Sequence, residues 1–397
     1  MPTNHRARRC ARVRLVEVFR VVTPARRSPA ALAAMRASAR SATAAARADA
    51  RARADRPSPA RVASMRELVD RYDVFLLDQF GVLHDGRAPY AGAARAVREL
   101  RARGKSLYVL SNSSRGREGT IEKLVGMGFD ADAFAGATTS GHVAAAFLSR
   151  DGRATSSEAR FERLASMIDR IAATRRVRVA HATWSARGNV TLGGAFGERF
   201  EVAAVENARD VDRCDFVLAH GVEAFGRGDG EREMPVSEAE MRAMIERAAA
   251  LKLPLCVANP DVVTVSGKEL VPMPGTLAKW YAEAFARAHD DESASDYVCL
   301  MGKPDGIVYE TLLGEIRATR PDLDTSRVLA VGDSLAHDIA GGANAGLDTA
   351  FVCMGIHADE VVRARTASDG VDALDELFRE HGARPTYVMD YLTWTSE

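Results

Sequence analysis

From about residue 61 onward the chain alternates short apolar runs with segments in which apolar positions recur every three to four residues. Asp73-Val-Phe-Leu-Leu-Asp78 is four apolar residues rising into a carboxylate. A helical stretch over 91–103 follows, then the run Ser106–Asn112, a helix over 118–127, a weaker run Phe134–Thr139 and a helix Gly141–Ser149. Apolar runs of this length separated by helices predict the strands of a parallel sheet covered on both faces.

The texture changes over 150–272. A long amphipathic helix is expected near Ser157–Ala173, then strand-like pieces at Val177–Ala182, Val190–Leu192, Phe200–Val205 and Phe216–Ala219. Ser237 with Glu240 three residues later is a capping box opening another helix, and Pro254–Ala258 reads as a strand. Gly226–Glu233 is a Gly- and charge-rich loop. This stretch reads as a separate α/β domain inserted into the first. From Pro274 the first texture resumes, with a helix to His289, the run Val298–Met301, a helix Ile307–Glu315, the run Val328–Asp333, a helix from Asp338 and a strand Thr349–Cys353. The tail from Asp359 is expected to be helical with a short final strand. The expected organisation is therefore a leader over 1–60, a core over 61–149 and 273–397, and an inserted domain over 150–272.

Charge changes the picture of the leader. The 397 residues hold 54 Lys+Arg and 54 Asp+Glu, yet residues 1–60 carry fourteen Arg, no Lys and three acids. That segment is thus +11 and the rest of the chain −11. Arg-rich, Ser-containing and acid-poor, it has the composition of an organelle transit peptide, which places the protein in a chloroplast or mitochondrion after its removal; a cytoplasmic location is the alternative. It lacks the aromatic interleaving of a nucleic-acid arm. An acidic remainder also argues against a specific nucleic-acid partner. No run of about 18 apolar residues exists, so no transmembrane segment is expected. Five widely spaced cysteines, without a CxxC pair, speak against zinc and disulfides, and the four in or next to apolar runs read as buried inert thiols.

Ligands of open parallel sheets bind beyond the carboxyl ends of the strands. Standing there are Asp78, Ser111, Lys303 and Asp333, with Asp338 five residues on. Carboxylates gathered in one crevice stay ionised only if a cation joins them, and an all-oxygen set suits Mg²⁺. The hydroxyl and the ammonium suit phosphoryl oxygens, and Asp78 suits a nucleophile that forms an acyl phosphate.

Asp78-Gln-Phe-Gly-Val-Leu, Ser111-Asn112, Gly302-Lys303-Pro304 and Gly332-Asp333-Ser-Leu-Ala-His-Asp338 resemble the four ordered motifs of the haloacid dehalogenase superfamily. Thr139-Ser140-Gly141, Asn259-Pro260-Asp261, Pro274-Gly275 and the position of the insertion resemble its class IIA branch. The resemblance covers about residues 70–357. It implies a doubly wound, Rossmann-like parallel sheet core with an inserted α/β cap domain, and a Mg²⁺-dependent phosphatase acting on a small phosphorylated metabolite, with a homo-oligomer through the cap as an option. It implies Asp78 as nucleophile and metal ligand together with the backbone carbonyl of Phe80, Ser111 on a phosphoryl oxygen, and Lys303 neutralising charge. Asp333 and Asp338 complete the metal site, and Asn112, Asn259 and Asp261 face the substrate.

One position departs from the pattern. Where the family's phosphatases carry a second Asp, the general acid, this chain has Phe80. That help is worth roughly 10²–10⁴-fold, so slow turnover of poor leaving groups is expected, and a lapsed fold that binds a phosphorylated ligand or protein partner is the alternative. His84, Asp85 and His337 are the nearby substitutes. Dehalogenases and phosphonatases also replace this Asp. The acidic pair Asp333/Asp338 speaks against the first, and Lys252 and Lys268, the lysines of the insertion, lie in no context that supports the second.

Overall fold

The computed structural model describes residues 58–395, apart from 151, 157, 186–197, 229–231, 267–268, 291 and 368–371. They fall in one compact unit, Arg56–Glu397. The expected strand at Val190–Leu192, and Cys10 and Lys268, lie outside the described residues.

The first sheet has seven strands in the order Ala60–Arg61, Tyr387–Met389, Asp348–Val352, Val328–Gly332, Val74–Leu77, Ser106–Ser111, Gly136–Thr139. Every pairing is parallel. Period-2 geometry sends Phe75 and Leu77 into one apolar cluster, with Leu107, Val109 and Val331, and sends Val74 and Leu76 into another with Leu110 and Ala330. Both faces are therefore covered, which is why these strands read as unbroken apolar runs. Strand order reverses between Val74–Leu77 and Val328–Gly332, the switch point at which such sheets bind ligands.

The second sheet runs Val298–Leu300, Leu255–Val257, Phe216–Ala219, Val177–Thr183 in parallel. Phe200–Val202 pairs alongside Val177–Thr183, and the short strands Ala224–Phe225 and Met234–Pro235 close the edge in antiparallel fashion. The sheets share one apolar cluster. Val177, Val179, Phe216 and Leu218 meet Val143 and Phe147 of the helix Ser140–Ser149, Phe161 and Leu164 of the helix Ala159–Ala172, and Ile307 and Leu312 of the helix Gly306–Thr319. The opposite face packs Ala180, Val217 and Leu255 on the helix Glu238–Ala250, which opens at the expected Ser237/Glu240 capping box.

Two expected boundaries shift. The return to the first sheet comes later than residue 273. The helix Gly275–Ala288 sets Leu277, Trp280 and Tyr281 against Met241, Met244 and Ile245 of the insertion, and Val298–Leu300 pairs with Leu255–Val257 rather than with the first sheet. The inserted α/β segment thus runs to Leu300. The stretch set aside as a leader ends earlier than residue 60, because Ala60 already pairs with Tyr387 and the Ser58 hydroxyl accepts from Arg384. Cys214, Cys256, Cys299 and Cys353 are buried and unpaired, and burial pushes the Cys353 thiol up to about 12.

His181 and His220, both buried, join Nε2 to Nδ1 across 2.8 Å inside the second sheet. Burial pushes His181 down to about 4 and His220 well below its ordinary value. The unfolded chain takes up protons at these residues near pH 6.5 while the folded chain does not, so their contribution to stability falls as pH drops from about 6.5 towards 4, by up to about 1.4 kcal/mol per pH unit for each histidine. Between pH 7 and pH 5 the urea midpoint of the wild type should therefore fall relative to that of the double variant H181Q/H220Q. A gap between the two proteins that stays constant over that range would contradict it.

Candidate active site

At the switch point the two neighbouring strands each run into a carboxylate, Asp78 and Asp333. Asp78 N donates to Val331 O at 2.9 Å, which anchors one strand end to the other. After Gly332 the chain turns through Ser334, whose hydroxyl accepts from His337 N, into the short helical turn Leu335–Ile339 that brings Asp338 back. Ligand oxygens of Asp78, Asp333 and Asp338 lie within 4.8 Å of one another. Asp333 and Asp338 are buried, and the Asp78 side chain is 12% exposed.

Lys303 reaches this group from the other sheet, a correction to the expectation that it ends a strand of the first. It follows Val298–Leu300 through Gly302, where a Cβ would lie 1.9 Å from Ser140 Oγ and 2.5 Å from Asn112 Oδ1. Its ammonium donates to Asp78 Oδ1 and Asp338 Oδ1, each at 2.7 Å, and to Leu110 O at 2.9 Å. Burial works against that charge, but Asp338 and Asp78 hold the group well above the ordinary lysine value. The carboxylates move the other way. Burial pushes Asp78 up to about 7, with Asp338 adding repulsion and Lys303 opposing it, and lifts Asp333 well above the usual range, with Asp78 and Asp338 adding to the rise.

Three buried carboxylates against one ammonium leave negative charge uncompensated, and the donors are all oxygen. That set fits a hard divalent ion such as Mg²⁺. The backbone fits as well. A Cβ at Gly81 would stand 1.8 Å from Asp333 Oδ2, one at Gly355 2.2 Å from the same atom, and one at Gly332 2.0 Å from Asp338 Cγ. Gly81 also has φ +83°, which favours glycine. The N–H of Ile356 donates to Asp333 Oδ2 at 2.7 Å and that of Ser334 to Asp338 Oδ2 at 3.1 Å, so each carboxylate is aimed by the backbone.

Asn112 joins the two sheets. Its Oδ1 accepts from Lys303 N at 2.8 Å, and its Nδ2 donates to Asp261 Oδ1 at 2.8 Å and to Lys303 O. Asp261 in turn faces His337 Nδ1 at 3.5 Å. Asn259, buried, uses its side-chain oxygen on Asp261 N and so shapes the loop. Ser111 lies one residue past Leu110, its Oγ accepting from Ser113 N. Two of the three nearby substitutes for an acid, Asp85 and His84, are engaged elsewhere. Asp85 is exposed and accepts from the N–H groups of Arg87 and Ala88, while His84 is buried with Nδ1 accepting from Gly86 N. Lys252 pairs with Glu292 at the surface.

Sequence reasoning missed the backbone donors and glycines around Asp333, as well as a second cluster behind them. His357, Glu360 and His381 bring ligand atoms together. Leu335 N–H donates to His357 Nε2, however, which puts the ring proton on Nδ1 facing Glu360. The cluster is a hydrogen-bonded brace for the loop that carries Gly355 and Ile356.

Comparison with known proteins agrees with this fold. Residues 75–161 match the family described as haloacid dehalogenase-like hydrolase, and residues 300–395 match the HAD-hydrolase-like family. A glycerol-3-phosphate phosphatase of Gallus gallus is 28% identical over 310 residues, 77% of this chain and 86% of the relative. A D-glycerol 3-phosphate phosphatase of Mycobacterium tuberculosis is 26% identical over 332 residues, 82% of this chain and 71% of the relative. The solved structure of a haloacid dehalogenase-like hydrolase from Brucella suis superimposes with a TM-score of 0.56 at 23% identity, covering 83% of this chain and 99% of that one.

The close approach of Gly355 to Asp333 predicts that Gly355→Ala displaces the carboxylate and weakens Mg²⁺ binding by roughly 10–100-fold, as loss of a ligand-orienting contact does. Titration calorimetry checks this; unchanged affinity would contradict it.

Proposed function

This chain belongs to the haloacid dehalogenase-like hydrolases, and on that footing we propose that it is a Mg²⁺-dependent phosphatase of a small phosphomonoester that works through an aspartyl phosphate on Asp78. The observation that carries the reading is the buried Asp78–Lys303–Asp338 arrangement beside Asp333, at the switch point of the first sheet. The relatives named as phosphatases support the reaction class.

Asp78, Asp333, Asp338 and the Phe80 carbonyl would hold the ion. Bound there, it offsets the repulsion between a phosphoryl group and the carboxylates. Asp78 presents one oxygen to phosphorus in line with the leaving oxygen. The fixed ammonium of Lys303 favours the ionised form of Asp78 and neutralises charge on the phosphoryl oxygens without reorganisation. Ser111 Oγ cradles those oxygens, while Asn112, whose amide is taken up by Asp261 and the Lys303 backbone, holds the inserted segment and Lys303 in register beside them. A specific observation also supports a second reading. Phe80 places an exposed phenyl ring two residues after the nucleophile, as suits a lapsed enzyme that only binds a phosphorylated ligand.

With Mg²⁺, the full chain should release phosphate from at least one member of a panel of phosphomonoesters, and both Asp78→Asn and Lys303→Met should lower that rate by about 10³-fold or more. Release that persists in Asp78→Asn would exclude Asp78 as nucleophile. No release, together with Mg²⁺-dependent thermal stabilisation by a panel member, would favour the binding reading. For the leader we propose organelle targeting; residues 1–60 fused to a fluorescent reporter should carry it into a chloroplast or mitochondrion, and diffuse cytoplasmic signal would contradict this.

A further inference from the structure

Around Asp78 the structure provides a nucleophile and fixed positive charge, but at position 80, where the family carries its acid, it places no acidic proton, and the remaining candidate His337 faces Asp261 with its Nδ1 at 3.5 Å. The three N–H bonds of Lys303 are all spent, on Asp78, Asp338 and the Leu110 carbonyl. Asp333 and Asp338 are acceptors, held by the Ile356 and Ser334 amides. Along the chain after Asp78, Phe80 has nothing to donate, His84 is buried, and Asp85 is tied into its own turn. What this rim exposes instead is apolar. The Phe80 side chain is 41% exposed and Ile356 67% exposed, although the Ile356 N–H itself bonds Asp333. The Phe80 ring is fixed in place, edge-on to His84 with centroids 5.7 Å apart, and it closes over Gly86, where a Cβ would lie 2.7 Å from the ring.

We propose, building on the phosphatase reading, that the substrates are phosphomonoesters whose leaving oxygen departs as a stabilised anion, aryl phosphates foremost, and that the departing group lies against Phe80 and Ile356. The steps balance without a protein acid. An Asp78 oxygen bonds to phosphorus as the bond from phosphorus to the leaving oxygen breaks, and the electron pair leaves on a phenolate. Water then attacks phosphorus, the bond to Asp78 breaks to restore its carboxylate, and phosphate departs. The proton released from that water is balanced by the one the phenolate takes up in bulk solvent. An alkoxide is far too basic to leave by this route, and a rigid apolar ring next to the nucleophile favours a planar aromatic group over a hydrated polyol. With no base aimed at the water, hydrolysis of the aspartyl phosphate is the slow step.

The test uses the full chain with Mg²⁺ and a series of substituted phenyl phosphates of graded phenol acidity, one enol phosphate and glycerol 3-phosphate. The expected result is a steep fall in kcat/KM as the phenol becomes less acidic, with the alkyl ester at least about 10²-fold below the best aryl ester. A burst of phenol close to one per active site is expected before steady state. Phe80→Asp should flatten the series and raise the alkyl ester most; Phe80→Leu, which adds no acid, should keep the slope while raising KM for the aryl esters alone. Turnover of the enol ester without the phenyl esters would overturn the aromatic assignment. A flat wild-type series, with glycerol 3-phosphate as good as the aryl esters, would overturn the inference while leaving the phosphatase reading intact; His337, facing Asp261, would then be the proton source, shown by a series that becomes steep in His337→Gln. No turnover of any ester by Mg²⁺-loaded protein would overturn both.

Discussion

The buried ammonium of Lys303 is the constraint on which the rest depends. At 3% exposure it has lost its water, and each of its three N–H bonds must find an acceptor. Two of these are carboxylates, Asp78 after the strand Val74–Leu77 and Asp338 on the helical turn Leu335–Ile339, and the third is the carbonyl of Leu110, yet the residue itself arrives from the last strand of the second sheet. Removing one partner from such a pair costs about 3–5 kcal/mol, because the remaining charge stays buried and uncompensated. The two sheets are thereby tied together at this point, in addition to the apolar cluster they share. The close approach at Gly302 and the bonds from Asn112 to the Lys303 backbone show how little freedom remains there.

Much of this was legible in the sequence, for a definite reason. Asp78, Ser111 and Asp333 follow unbroken apolar runs, and a run buried on both faces can end only where the sheet ends, so their place at the carboxyl edge is a property of the local pattern. Lys303 shows the limit. Val298–Leu300 has the same apolar texture as a strand of the first sheet, and only its pairing with Leu255–Val257, a long-range choice, assigns it to the second. The helix Gly275–Ala288 was misplaced for the same cause: its buried face is apolar in either setting. Other parts leave no side-chain signal. The amides of Ile356 and Ser334 aim carboxylates through backbone groups that every residue but proline carries, and Gly81, Gly332 and Gly355 act by what they lack. The pairing of His181 with His220 needs two strands to lie side by side.

Electrostatics ties fold to function. Outside residues 1–60 the chain carries a net −11, and three of its acids meet at the switch point. Left alone, such a trio resists ionisation, as the upward push on Asp78 and Asp333 records. On the proposed reading, a divalent ion together with Lys303 would reverse the local sign and make the crevice receptive to a phosphoryl dianion on an otherwise repulsive protein. Phe80 would then separate the two halves of catalysis: charge stabilisation built into the site, and proton transfer left to the substrate and solvent.

The central claim is that Asp78 takes up the phosphoryl group, and the most direct measurement is chemical. The full chain mixed with Mg²⁺ and an aryl phosphate, quenched in acid during turnover and digested, should yield a phosphorylated peptide that contains Asp78. The modification should be lost on treatment with hydroxylamine and absent from Asp78→Asn. Turnover with no phosphorylated peptide, or with phosphate on another residue, would contradict the account.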